Sequence, residues 1–212
     1  MNAQNIVSKL NPDLEVVAFP GHFATRHSHN NHYIDITRMK HEARMAREAA
    51  ITLAQRYTYE KGVDTIVCLD GSEIIGAFLA RHLASNDFFS VNKNKSINII
   101  TPEYDSNLQL IFRDNLAPMI VDKDILILIS TVNSGATVNR AVECVLYYGG
   151  VVQGIASIFS TQDSVEGIPV YSLFSAADVP GYATYPHKKC PLCEAGQKID
   201  ALSNRYGFSK LF

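Results

Sequence analysis

Between Asp124 and Thr137 an unbroken aliphatic run, Ile125-Leu126-Ile127-Leu128-Ile129, feeds directly into the small, hydroxyl-rich stretch Ser130-Thr131-Val132-Asn133-Ser134-Gly135-Ala136-Thr137. Five consecutive aliphatic residues with no polar alternation suit a strand covered on both faces, as in a parallel sheet. The periodic run from Val138 to Tyr148 predicts a helix whose first N–H groups face the preceding loop. Gly135 lets backbone approach a ligand closely, and Ser130, Thr131, Ser134 and Thr137 offer hydroxyls. The segment is therefore a candidate phosphate site. The same strand–turn–helix connection also serves without a ligand, with glycine making the turn and the Thr137 hydroxyl capping the helix.

Elsewhere the chain alternates strands and helices. Arg38 to Tyr59 contains several alanines and neither Gly nor Pro, which predicts one long helix. Thr65 to Leu69 reads as a buried strand ending in a second small-residue loop, Asp70-Gly71-Ser72, ahead of a helix reaching about Ser85. Ser96 to Thr101, Val151 to Ser160 and Ile168 to Phe174 read as further strands, and Gly149-Gly150 as a helix stop. The pattern predicts a three-layer α/β fold with a mainly parallel sheet, its ligands gathered at the carboxyl ends of the strands. Asn11 to Asp35, rich in Gly, His and aromatics, predicts a small β-rich flap. Pro102 to Pro118 is long for a connection and suits a lid, a hairpin arm or a disordered loop. The expected organisation is a hood over 1–37, an α/β core over 38–180, and a tail over 181–212 packed on the body.

Composition narrows the function classes. A chain of 212 residues with a formal net charge of −2 lacks the basic face of a nucleic-acid binder, its one basic cluster being the short Lys93-Asn94-Lys95. No segment approaches the roughly 18 consecutive apolar residues of a membrane span. The start, Met1-Asn2-Ala3-Gln4-Asn5, lacks a signal-peptide pattern. A cytoplasmic location is the expectation.

Two of the four cysteines, Cys68 and Cys144, fall in apolar elements and read as small buried hydrophobes. The other two form Cys190-Pro191-Leu192-Cys193, preceded by His187. This is the spacing of a metal knuckle and suits Zn²⁺ at His187, Cys190 and Cys193. Zinc needs a fourth ligand, for which His22, His27, His29, His32 or a group from another subunit are the candidates. A local turn with reduced thiols, or redox chemistry, are the other uses of such a pair.

Two phosphate-type loops at strand ends, a long segment between them and an N-terminal flap together resemble a type I phosphoribosyltransferase, closest to orotate phosphoribosyltransferase. Gly21-His22-Phe23-Ala24-Thr25-Arg26-His27-Ser28 through Tyr33-Ile34-Asp35 is similar in spacing to that family's base-side motif, and Cys190-Pro191-Leu192-Cys193-Glu194-Ala195-Gly196 to a tail of many bacterial members. The resemblance implies base-side roles for Phe23, Arg26 and Tyr33, a pyrophosphate loop at Asp70, Gly71 and Ser72, and 5-phosphate binding by Ser130 to Thr137. It further implies phosphoribosyl diphosphate with Mg²⁺, a pyrimidine-like base and a homodimer.

Three departures bear on activity. The family's paired acids, which support positive charge developing on the ribose, are here Ile129 and Ser130. The mobile loop's cationic group is replaced by Thr101-Pro102-Glu103-Tyr104-Asp105-Ser106-Asn107, with Arg113 the nearby cation. The arginine that pairs with orotate's carboxylate falls at Thr161, and a carboxylate without a bidentate Arg is poorly recognised. Two functions stay open: a phosphoribosyl-transferring enzyme, and a protein that binds or senses a phosphoribosyl ligand without turnover.

Overall fold

The aliphatic run lies in the middle of a six-stranded sheet, with Ile125 to Ile129 each at most 1% exposed. Burial of such side chains contributes roughly 1.5–3 kcal/mol apiece. The computed structural model describes residues 3–85, 89–107, 109–204 and 206–211. Their elements are β1 (Gln4–Val7), β2 (Glu15–Ala24), β3 (His29–Asp35), α1 (Thr37–His41), α2 (Ala43–Ala54), β4 (Thr65–Leu69), α3 (Glu73–Leu83) and β5 (Asn98–Ile100). There follow β6 (Glu103–Tyr104), β7 (Leu110–Ile111), β8 (Asp124–Val132), α4 (Ala136–Tyr147), β9 (Val151–Ser160), β10 (Ser164–Val165) and β11 (Ile168–Ser175). The chain closes with β12 (Thr184–Tyr185), α5 (Pro191–Glu194), β13 (Ala201–Asn204) and β14 (Gly207–Lys210). No helix among the described residues is long and apolar enough to cross a membrane.

The core sheet has the order β10-β11-β9-β8-β4-β5, parallel throughout except for the edge hairpin of β10 with β11. Because side chains alternate along a strand, β8 feeds two cores. Ile125, Ile127 and Ile129 pack with Val138, Val142 and Val145 of α4, whereas Leu126 and Leu128 pack with Leu53 of α2 and Leu79 of α3. Three layers result. Helix α2 presents Ala46, Ala49, Ala50, Leu53 and Ala54, one face at helical spacing, and all are buried. Helix α3 lies close on β4 because position 76 has no side chain: a Cβ there would stand 2.5 Å from the Cys68 sulfur.

Two expectations are revised. The long helix is two, α1 and α2, broken at Glu42 with extended dihedrals of −98° and 117°. Tertiary burial of Met39 and Lys40 overrides a helix propensity that favours continuity. Second, the two strands that close the tail pair outside the core sheet. They form the hairpin β13–β14, which joins the N-terminal strands in a second sheet of order β12-β3-β2-β13-β14, with β1 beside β2. Parallel pairing of Ala201 and Leu202 with Phe23 and Ala24 makes the hood a product of both chain ends. The 102–118 segment takes the hairpin-arm form among those expected, the antiparallel pair β6–β7, and Arg113 just beyond it pairs with Glu103. Met1, Asn2, Leu108, Arg205 and Phe212, which belong to segments discussed above, lie outside the described residues.

Candidate functional site

A cavity of about 470 Å³ opens where the carboxyl ends of β4 and β8 meet the hood, a size suited to a nucleotide-like ligand. All eight residues from Ser130 to Thr137 line it. Strand β8 hands over to Gly135, whose φ of +77° makes it the N-cap of α4. No side chain caps this helix, so the Thr137 hydroxyl is not a cap. The leading N–H groups of α4, which have no intrahelical acceptor, point toward the loop with the positive end of the helix dipole behind them. The loop is braced from below. The Asn133 carbonyl accepts from Thr161 Oγ1 at 2.7 Å and Gln162 Nε2 at 3.1 Å, and its side-chain oxygen accepts from the Tyr182 hydroxyl at 3.1 Å. Thr161, where the resemblance would want an arginine, thus supports the loop.

The second loop contributes Asp70 to the lining, while Gly71 is exposed outside it and Ser72 sits beneath the surface. Asp70 has a φ of 56° and lines the cavity. The Ser72 hydroxyl is fully buried and donates to the Leu128 carbonyl at 3.0 Å. Ser130 Oγ donates to the Asp70 carbonyl at 2.9 Å, which locks the two loops together. Lys40 of α1 is 7% exposed and lies across the 70–72 loop, its Nζ 3.2 Å from where a Cβ on Gly71 would be.

On the hood side, Arg26 and Tyr33 line the cavity. Phe23 does not. It is fully buried and packs on Tyr33 and Phe208 at centroid distances of 5.7 and 5.9 Å, so its base-side role is revised to hood core. Burial, then Asp35, pushes the Tyr33 hydroxyl up to about 12. The β13–β14 hairpin adds Ser203, Asn204 and Gly207 to the wall. Tyr182 bridges hood and core, stacked on His32 and tilted against Phe159.

Charge in the cavity is one-sided. Arg26, Lys40 and Arg140 line it with Asp70 as the carboxylate among the described lining residues, although the whole chain is net negative. Burial, then the charges of Arg140 and Arg26, holds His27 below the usual imidazole range. Such a wall recognises a polyanion, and the hydroxyl-rich floor suits phosphate oxygens. Ile129, at the first position of the missing acid pair, points away between β8 and α4, while Ser130 faces the cavity. Arg140 was legible in retrospect, one helical turn after Thr137 on the same face. Lys40 and Tyr182 carry no local signal, since Lys40 resembles its exposed neighbour Arg38 in sequence.

The metal-type residues gather elsewhere in the hood. His22, His29, Cys190 and Cys193 place their ligand atoms within 4.8 Å of one another. His187 falls outside this quartet, its Nε2 set 3.0 Å from the Thr25 carbonyl.

No protein-family model matches the chain, and no curated protein matches it. Solved structures do. The chain is similar to the orotate phosphoribosyltransferase of Mycobacterium tuberculosis with Fe(III) dicitrate (14% identity, 70% of this chain and 82% of that one, TM-score 0.51). It is likewise similar to a phosphoribosyltransferase from Corynebacterium diphtheriae (16%, 76% and 89%, 0.51). The adenine phosphoribosyltransferase of Thermoanaerobacter pseudethanolicus gives 15% identity, 82% and 95% coverage, and a TM-score of 0.52. At these identities the likeness establishes the fold, an α/β architecture of the type I phosphoribosyltransferase kind.

Proposed function

We propose that the cavity binds a 5-phosphorylated ribosyl ligand, phosphoribosyl diphosphate above all, and that the chain is a phosphoribosyltransferase acting on a pyrimidine-like base. The observation that carries this is the convergence of an uncapped helix N-terminus, the four hydroxyls of the 130–137 loop and three cations in one cavity between two strand-end loops. The 5-phosphate would sit on the N–H groups that open α4, and the diphosphate beside Asp70 under Lys40. Arg26, Tyr33 and the β13–β14 hairpin form the base end. Asp70 is the residue that would hold Mg²⁺, which commonly takes one or two carboxylates plus ligand phosphate oxygens. When bound there, the ion offsets the charge of the diphosphate leaving group. A homodimer and a cytoplasmic setting complete the proposal.

A second reading, binding without turnover, is favoured by Ile129 and Ser130. Charge developing on the ribose lacks the paired carboxylates that would stabilise it, Asp70 being the one carboxylate among the described lining residues. Calorimetric titration of phosphoribosyl diphosphate and orotidine monophosphate with Mg²⁺, followed by pyrophosphate release with orotate, other pyrimidines and adenine, separates the two. Binding with release supports the enzyme, and binding without release supports the sensor. No binding refutes both.

A further inference from the structure

We propose that His22, His29, Cys190 and Cys193 form a structural Zn²⁺ site that staples the C-terminal tail to the N-terminal strands and so sets the base end of the cavity. Four of the six ligand–ligand edges lie near those of a tetrahedron, and all six are within 4.8 Å. With Zn–S of about 2.3 Å and Zn–N of about 2.0–2.1 Å, a tetrahedral site has S···N edges of roughly 3.6 Å and an N···N edge of roughly 3.3–3.4 Å. The sulfur of Cys190 stands 3.6 Å from His22 Nε2, and that of Cys193 stands 3.7 Å from His22 Nε2 and 3.3 Å from His29 Nδ1. The two ring nitrogens are 3.0 Å apart.

The surroundings select the ligand atoms. His22 is fully buried, and its Nδ1 lies 3.0 Å from the Gln197 carbonyl. A proton held there leaves the Nε2 lone pair directed at the cluster, the usual outer contact of a metal-bound imidazole. Two thiolates balance the charge of one Zn²⁺, their protons passing to solvent on binding, so a neutral centre results in a largely buried place. The tail is shaped for it. Gly196, at a φ of +72°, returns its N–H to the Cys193 carbonyl, and Gln197 N–H donates to the Leu192 carbonyl.

The site's location gives it a consequence. His22 and His29 bracket the turn Thr25-Arg26-His27-Ser28, all four residues of which line the cavity. On the tail side, Asp200 exchanges hydrogen bonds with the His22 backbone just before β13 begins. One ion thus fixes both the turn that carries Arg26 and the strand that carries Ser203 and Asn204. The metal content stands independently of the phosphoribosyl proposal, whereas the effect on the cavity rests on it.

Untagged protein grown with zinc, assayed by elemental mass spectrometry, is expected to carry one zinc per chain. His187→Ala keeps the ion, while His29→Ala and Cys190→Ser/Cys193→Ser lose it. Cobalt substitution of the wild-type protein gives the thiolate charge-transfer and ligand-field spectrum of a tetrahedral two-sulfur site, a readout that needs no variant to fold. Stripping the wild-type protein with a chelator exposes Cys190 and Cys193 to alkylation, and added zinc restores protection. Zinc-stripped protein also loses affinity for phosphoribosyl diphosphate by about tenfold, from the cost of ordering two or three loosened side chains. Wild-type protein that stays metal-free after zinc loading overturns the site, as does equal loss of zinc from His187→Ala and His29→Ala. Zinc binding with unchanged ligand affinity overturns only the link to the cavity.

Discussion

Gly135→Ala tests the phosphate loop against a built-in control. Gly135 and Gly149 both hold left-handed dihedrals, with φ of +77° and +78°, at opposite ends of α4. An alanine in this region costs about 1–2 kcal/mol from Cβ sterics. At Gly149 the added methyl meets nothing within 4 Å, so backbone strain is the whole effect. At Gly135 it also meets Val165 Cγ2 at 3.3 Å and Cγ1 at 3.5 Å, contacts tight enough to add to that cost. For a chain of this size the backbone term corresponds to a Tm loss of roughly 2–8 °C. The two variants should therefore lose similar stability, Gly135→Ala somewhat more. Binding should separate them. Relief of strain at 135 turns the N–H groups opening α4 away from the cavity, and about 1–2 kcal/mol of lost alignment weakens phosphoribosyl diphosphate by roughly 5- to 30-fold. Gly149→Ala leaves binding unchanged. Thermal melts and calorimetry on the same samples give both numbers. If the two variants bind equally well, the ligand's phosphate does not rest on this helix and the site assignment fails.

Three other outcomes are expected. Lys40→Met should weaken phosphoribosyl diphosphate by about 1.5–3 kcal/mol, the worth of a charge-assisted hydrogen bond, and ribose 5-phosphate much less; equal losses in calorimetry would remove Lys40 from the diphosphate end. The acid pair is not simply restorable: Ile129→Asp places a carboxylate among Val138, Val142 and Val145 and should unfold the protein or cost several kcal/mol in urea melts, whereas Ser130→Asp, at the cavity, loses the bond to the Asp70 carbonyl and should cost less. A stable Ile129→Asp would show that the strand's facing is wrong. Burial pushes the Cys68 thiol up to about 12 and the Cys144 thiol up to about 11. Both stay protonated at pH 8, so iodoacetamide with mass mapping should leave them unlabelled until denaturant is added; labelling of native Cys68 would contradict the packing of α3 on β4.

The local strand–loop–helix grammar was legible in the chain itself. An aliphatic run needs cover on both faces, a glycine followed by a periodic run marks a helix start, and these constraints act between near neighbours. They gave the α/β order, the 130–137 loop and Asp70. Which side chains complete the cavity was decided in three dimensions. Lys40 is buried over Gly71 while Arg38 stays exposed, and only the packing of α1 against the 70–72 loop distinguishes them. Phe23 carried the same aromatic signal as Tyr33 yet turns into the hood, because alternation along β2 is read against β13 and β14, strands some 180 residues away. The cysteine pair shows the division most plainly. Its spacing announced a metal knuckle, but spacing fixes only ligands that the chain brings together locally. The imidazoles of His22 and His29 reach Cys190 and Cys193 because the tail enters the N-terminal sheet, and His187, nearest in sequence, is drawn instead to the Thr25 carbonyl.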